Sequence, residues 1–277
     1  MSSLKKNMMD QSMITWRLKD WDWNISSRNQ NNVKLKREYL HKFLAFSIIA
    51  ISFVAIIINA TENMNYGLIL KNYRALFTAF VMTLGVSLIT LVLSMISGFV
   101  FYICMISENK FIKSFTNMLK EIVMGTPLLV MIFLVVYVFG IKVNFHNKLV
   151  LGIVALSAYM SPYIANSYKT AIAVIDDSQY KVMNLYNFSL YQRYRFIIVP
   201  QIVRPLIPSM LNNLSSIIKG SALLKIVSVS EISYTITVIS NENYAVVEGY
   251  LIMWIMYLMI TIPLSMLAKN IGRRYEI

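Results

Sequence analysis

Residues 76–106 read LFTAFVMTLGVSLITLVLSMISGFVFYICMI, a run without one charged side chain. A bilayer's hydrocarbon core is about 30 Å thick, and a helix rising 1.5 Å per residue crosses it in roughly 20 residues. This run is long enough. A membrane β-strand would alternate polar and apolar positions, which it does not, so helix is the expectation. Working outward, five more apolar stretches follow the same pattern: Phe43–Ala60, Ile122–Gly140, Leu149–Tyr168, Leu206–Ile232 and Gly249–Ala268. Leu206–Ile232 is the least regular, being interrupted by Asn212, Asn213, Lys219, Lys225 and Glu231. The fold expected is an all-α transmembrane bundle of about six spans.

The rest of the composition fits a chain that lives in lipid. Apolar residues make up 57% of the sequence and charged ones 14%, where a soluble domain carries about a quarter charged. The net charge of +13 raises the question of nucleic acid, and its distribution answers it. With six spans and the N-terminus inside, twenty of the 26 Lys and Arg fall on inner segments, against Lys71, Arg74, Lys142 and Lys148 on outer ones. That asymmetry is the positive-inside pattern. It places both termini in the cytoplasm and reads the basic charge as topology, with no nucleic-acid motif beside it. Cys104 is the only cysteine, and His41 and His146 are the only histidines. A disulfide and a thiolate or zinc site are therefore not expected. No GxxxxGK[ST] run is present, so the chain itself is not expected to hydrolyse nucleotide.

By organisation, residues 1–42 form a basic cytoplasmic tail. Trp16, Trp21 and Trp23 allow a short interfacial helix there, although a loosely ordered tail is the simpler reading. Residues 43–60 are the first span, 76–268 the main transmembrane domain, and 269–277 a cytoplasmic end. The inner segment 171–205 is amphipathic. Val174, Ile175, Val182, Met183, Leu185, Phe188, Tyr191 and Tyr194 recur near helical spacing among Asp176, Asp177, Lys181, Asn184 and Arg193. Short helices of this kind bury one side and leave another for a cytoplasmic partner.

Three collinear motifs then carry a family resemblance. Residues 121–129 read EIVMGTPLL, close to an RGTPLL signature with Met124 at the arginine position. Residues 178–189 and 196–201 read SQYKVMNLYNFS and FIIVPQ, close to a GQ-EAA-ALG…LPQ region. The stretches LIPSMLNN (206–213), KGSALL (219–224) and VSEI (229–232) match an "lP-l-N … K-TSLL … v-E-l" pattern. Together they resemble the permeases of polar amino-acid ABC importers, of the histidine, glutamine and arginine type. The resemblance implies a permease in a bacterial inner membrane, paired with an identical or paralogous second permease chain. It further implies a cytoplasmic ATPase dimer that holds ATP and Mg, and an extracytoplasmic amino-acid-binding protein. No cofactor is expected in this chain, and it is not expected to be an enzyme.

On that resemblance, Asp177, Ser178, Gln179, Lys181, Val182, Met183, Asn187 and Ser189 belong to the ATPase-coupling surface. Lys181 stands where the family has an acid, Val182 and Met183 replace alanines, and Asn187 replaces a glycine. Upstream, the family's A-Y-x-x-E-x-x-R becomes Pro162-Tyr163-Ile-Ala-Asn166-Ser-Tyr-Lys169. The substrate path is assigned to Gly125, Thr126, Pro127, Tyr163, Asn166, Lys219, Ser221 and Glu231. Residue chemistry points the same way: Gly-Thr-Pro breaks a helix, and ionisable groups within a membrane are expensive unless they face an interior or a water path. Each has a plainer alternative, namely a kinked packing helix for Gly125–Pro127 and a helix–helix hydrogen bond for Asn166. Two rival functions remain open at this point: a secondary transporter or channel without ATPases, and a diverged partner subunit that does not touch substrate.

Overall fold

A computed structural model describes residues 64–273, together with His41, Leu44, Ser47, Ile48, Ile51 and Ser52, which are helical. The basic tail, most of the expected first span 43–60 and the last residues 274–277 lie outside the described residues. From Asn65 onward the described residues form one compact unit of helices and turns. After a short helical turn at Gly67–Leu70, the helices are α1 (Tyr73–Met105), α2 (Lys110–Gly125), α3 (Leu128–Lys142), α4 (Lys148–Ile172), α5 (Asp177–Leu185), α6 (Leu190–Val227), α7 (Ile232–Glu242) and α8 (Val246–Arg273).

Three of these, α1, α4 and α8, are each long and apolar enough to cross a membrane. Two more crossings are available if each bent pair counts as one: α2 with α3, bent by 105°, and α6 with α7, bent by 50°. The expected span Ile122–Gly140 is therefore divided. Thr126 and Pro127 are extended, so residues up to Gly125 belong to α2 and α3 starts the span at Leu128. The expected span Leu206–Ile232 differs at both ends. Its helix starts at Leu190, within the segment read as a loop to residue 205, and it stops at Val227. Pro205 and Pro208 sit inside it, and a π-helical turn at Arg193–Ile198 precedes Pro200. Prolines are tolerated in membrane helices when neighbouring structure absorbs the lost backbone bonds.

The bundle is built with its polar atoms inside. On α1 the buried side carries Thr83, Ser87, Thr90, Ser94 and Gly98, while Phe77, Val81, Leu88, Val92 and Ile96 are exposed. Lipid gives no hydrophobic reason for two helices to associate, so small residues and hydroxyls make the seam. Ser97 and Ser161 pair their hydroxyls across α1 and α4, and Tyr168 donates to the Met95 carbonyl at 3.3 Å. A Cβ on Gly98 would lie 2.8 Å from the Ile164 side chain, so only glycine permits this approach. Apolar packing fills the rest. One cluster joins Val86, Ile132, Leu156, Leu224 and Val227; another joins Leu76, Ile232, Ile236 and Ile252.

Candidate functional site

The two broken helices meet each other. Gly220, near the end of α6, packs so closely on the first residue of α3 that a Cβ would lie 3.0 Å from Leu128 Cδ2. Beside that contact is a groove of about 420 Å³ lined by Leu129, Leu223, Lys225, Ile226, Tyr234 and Thr237. The breaks themselves differ in kind. At Gly125–Pro127 the chain turns in the open, with Thr126 Oγ1 donating to the Ile122 carbonyl at 2.7 Å. A Cβ on Gly125 would meet nothing within 4 Å. Nothing in this chain's own packing demands glycine there.

At the second break, α6 tightens into a 3-10 turn over Ala222–Val227 and ends on Ser228, whose φ of 63° is left-handed. Three residues later Glu231, itself extended, caps α7. It is fully buried. One carboxylate oxygen accepts the Tyr234 N–H at 2.8 Å and the other accepts the Tyr257 hydroxyl of α8 at 2.7 Å. The next backbone N–H, of Ile232, donates to Thr83 Oγ1 on α1 at 3.1 Å. Glu231 thus joins α7 to α8 at a chain break, and the neighbouring Ile232 joins it to α1. Ser221 is equally buried and donates to the Ile218 carbonyl. Lys219, by contrast, is exposed. Glu231 and Ser221 satisfy the bundle interior, and Lys219 alone points out of the chain.

Lys219 does not stand alone on its helix. Asn212, Ser216 and Lys219 are all exposed, and steps of four and three residues put them on one face of α6. Around them Ser209 and Asn213 both donate to Ser167 Oγ of α4, at 2.8 and 3.0 Å. Tyr163 and Asn166 sit half-buried in the same part of α4. The Tyr163 and Tyr159 hydroxyls are 3.4 Å apart. The exposed stripe is what sequence reading missed as a unit. Asn212 and Lys219 register as interruptions of an apolar run, and only the helical period joins them to Ser216.

The segment expected to meet an ATPase divides into α5 and the first turns of α6. Asp176 is the cap of α5, accepting the Ser178 N–H at 2.7 Å. The side-chain and backbone bonds from Ser178 hold its carboxyl below the usual range. Of the two residues replacing the family's alanines, Met183 is buried and Val182 is exposed, as is Lys181. Asn187 has φ 50°. A left-handed residue is normally glycine, and asparagine is among the few others that adopt this conformation readily, which explains its place here. Ser189 starts α6 with a capping box to Gln192. Gln201 Nε2 donates to Gln179 Oε1 at 2.9 Å, fastening α5 to α6 across 22 residues of sequence. The outward side is apolar: Leu185 and Leu190 are 79% and 72% exposed, and Tyr186 and Tyr191 flank them. Tyr186 and Leu190 are absent from the sequence-level periodicity because the left-handed turn at Asn187 resets it.

Similar proteins bear on these features. Residues 91–277 match the family described as binding-protein-dependent transport system inner membrane component. A Bacillus subtilis protein named as a glutamine ABC transporter permease is 27% identical over 216 residues, covering 77% of this chain and 99% of its own length. A Rickettsia conorii protein named as a glutamine transport system permease is 26% identical over 196 residues, covering 69% and 88%. Among solved structures, an amino acid ABC transporter crystallised with histidines superposes with a TM-score of 0.69 at 22% identity, over 76% of this chain and 99% of that one. The methionine ABC transporter in an inward-facing form reaches 0.57 at 14% identity, over 73% and 94%. The shared fold and the matched span lead to one assignment: the chain belongs to the family of binding-protein-dependent transport system inner membrane components, the membrane permease subunits of ABC transporters.

Proposed function

We propose that this chain is the permease subunit of an ATP-driven importer for a polar amino acid, working beside a second permease chain. The observation that carries the reading is the exposed stripe of Asn212, Ser216 and Lys219 on a membrane helix. A lysine facing hydrocarbon near mid-depth costs at least about 2.5–3.5 kcal/mol. The stripe is therefore covered in the working transporter by the partner permease, with water and substrate between the two. The names of the relatives point to glutamine and other amino acids as the cargo class. Gly125, Thr126, Pro127, Tyr163 and Asn166 are assigned to the margins of the same path.

In this reading the bundle has six spans, five from the bent pairs and single helices and one from residues 43–60, and both termini are cytoplasmic. The outward face of α5 and the start of α6 seats on the ATPase, where ATP and Mg are held. Lys181 and Val182 lie at that contact, and Asp177, Ser178, Gln179, Met183, Asn187 and Ser189 shape it. Closure of the ATPase dimer moves α5, and the Gln179–Gln201 bond passes the motion to α6 and its stripe. A binding protein delivers the amino acid from outside the inner membrane.

The test is thiol accessibility on a Cys104→Ser background. Asn212→Cys and Ser216→Cys in the assembled transporter are expected to react with a small charged thiol reagent, and transported amino acid is expected to slow that reaction. Labels that react only with lipid-soluble reagents would place the stripe against the bilayer and end the proposal.

A further inference from the structure

Apart from its last residue, Gly125, helix α2 has no role in the site described above, and its surface is unusual. It lies at 105° to α3, so if α3 crosses the bilayer, α2 runs nearly along its surface. Its buried contacts with the bundle are few, Thr116 and Val123. The adjoining strip is wholly apolar and open: Phe111 is 77% exposed, Met118 64%, Phe115 59% and Ile122 55%. These residues fall within a narrow arc at steps of four, three and four. Phe111 and Phe115 stack on each other with ring centroids 6.3 Å apart. The opposite arc carries Lys110, Lys113, Lys120 and Glu121. Ile103 and Ile106, at the end of α1 that leads into α2, are exposed as well.

We infer that α2 is an interfacial anchor, with Phe111, Phe115, Met118 and Ile122 sunk in the inner leaflet and Lys110, Lys113 and Lys120 holding anionic phospholipid headgroups. The division into an apolar arc and a cationic arc is what a helix lying in the headgroup plane requires. A protein partner covering the strip needs no lysines beside it, whereas an anionic bilayer does. The anchor adjoins the Gly125–Pro127 break, so it fixes the inner end of α3 to the lipid surface.

The test uses the full chain in nanodiscs of phosphatidylcholine with or without phosphatidylglycerol, without ATPase or binding protein. Its failure therefore leaves the permease reading standing, and loss of that reading leaves it untouched. Spin labels at Phe115→Cys and Met118→Cys, on the Cys104→Ser background, are expected to be relaxed by oxygen and shielded from a water-soluble nickel complex. A label at Asn117→Cys, in the middle of the polar arc, is expected to show the reverse. The variant with Lys110, Lys113 and Lys120 all changed to Gln is expected to lose preference for phosphatidylglycerol over phosphatidylcholine by at least about fivefold, the effect of one lysine near an anionic surface. The corresponding triple Arg variant is expected to keep it. Labels at 115 and 118 open to nickel, or closed to both reagents, overturn the inference, as does unchanged lipid preference in the Gln variant.

Discussion

Glu231 offers the sharpest test of how the bundle is held together at its break. Replacing it with alanine removes a helix cap, worth about 1 kcal/mol. It also leaves the buried Tyr257 hydroxyl without its acceptor, at about 1–3 kcal/mol. The two effects together predict a destabilisation of roughly 3 kcal/mol, before any cost of the cavity. Tyr257→Phe removes only the donor and leaves the cap bond at 2.8 Å in place, so its cost is smaller, about 1–2 kcal/mol. Because the two residues share one bond of 2.7 Å, the double variant is expected to be less damaged than the sum, by about 1–2 kcal/mol. Glu231→Gln keeps one acceptor oxygen and falls between wild type and alanine. The assay is thermal unfolding of the purified chain in one detergent, read for all four members of the cycle, with amino-acid uptake measured alongside. Additivity within about 0.5 kcal/mol would refute the latch. So would loss of uptake in Glu231→Gln at unchanged stability, which would return the carboxylate to the transport path.

Other expectations concern separate places. Gly220→Val drives side-chain atoms into Leu128, and is expected to cost about 1–3 kcal/mol and to depress uptake, measured by transport of labelled amino acid. Asn187→Gly is expected to preserve ATPase-coupled uptake, whereas Asn187→Val strains a left-handed turn by about 1–2 kcal/mol and lowers crosslinking from Val182→Cys to the ATPase. Lys181→Glu reverses the one basic charge of α5, which is exposed one turn from Asp177; substrate-stimulated ATP hydrolysis is expected to fall and to recover in part with a basic residue on the ATPase groove. The Asp176 cap is held ionised by Ser178, so its contribution to α5 is present above the ordinary carboxylate pKa and is lost as pH falls through the depressed one. Protection of the amides across residues 177–185, taken relative to their intrinsic exchange rates, is expected to fall toward ~pH 3, and Asp176→Asn is expected to remove that dependence.

The crossings were readable in the sequence because lipid imposes one blunt requirement, a long apolar surface, and residues 76–106 meet it visibly. The Gly125–Pro127 break was readable for a local reason, since proline lacks a donor whatever surrounds it. The end of α6 was not. Val227 and Ile232 are both β-branched and apolar, and nothing in composition marks the four residues between them as a break in the helix. Glutamate is not a favoured helix cap, so the sequence marks Glu231 only as a charge inside an apolar run, and its bonds to Tyr234 and Tyr257 are visible in the fold alone. The prolines of α6 misled in the other direction. Pro200, Pro205 and Pro208 signal a loop in soluble proteins, but here a π-helical turn and membrane packing carry the helix through them. Burial decided the rest: only the fold separates Met183, turned inward, from Val182, turned out.

The unbroken run of α6 has a geometric consequence. The helix rises 1.5 Å per residue, so Lys219 stands about 27 Å along the axis from Gln201, the residue bonded to α5. If the inner end is the fulcrum, a tilt of about 10° there sweeps Lys219 sideways by about 5 Å, close to the width of an amino acid's backbone. On the proposed function, a motion at α5 too slight to disturb its packing would thereby be magnified into an opening the size of the cargo. The amplification depends on length and stiffness alone, so inserting a flexible glycine pair between Gln201 and Asn212 is expected to leave ATP hydrolysis running while uncoupling it from uptake.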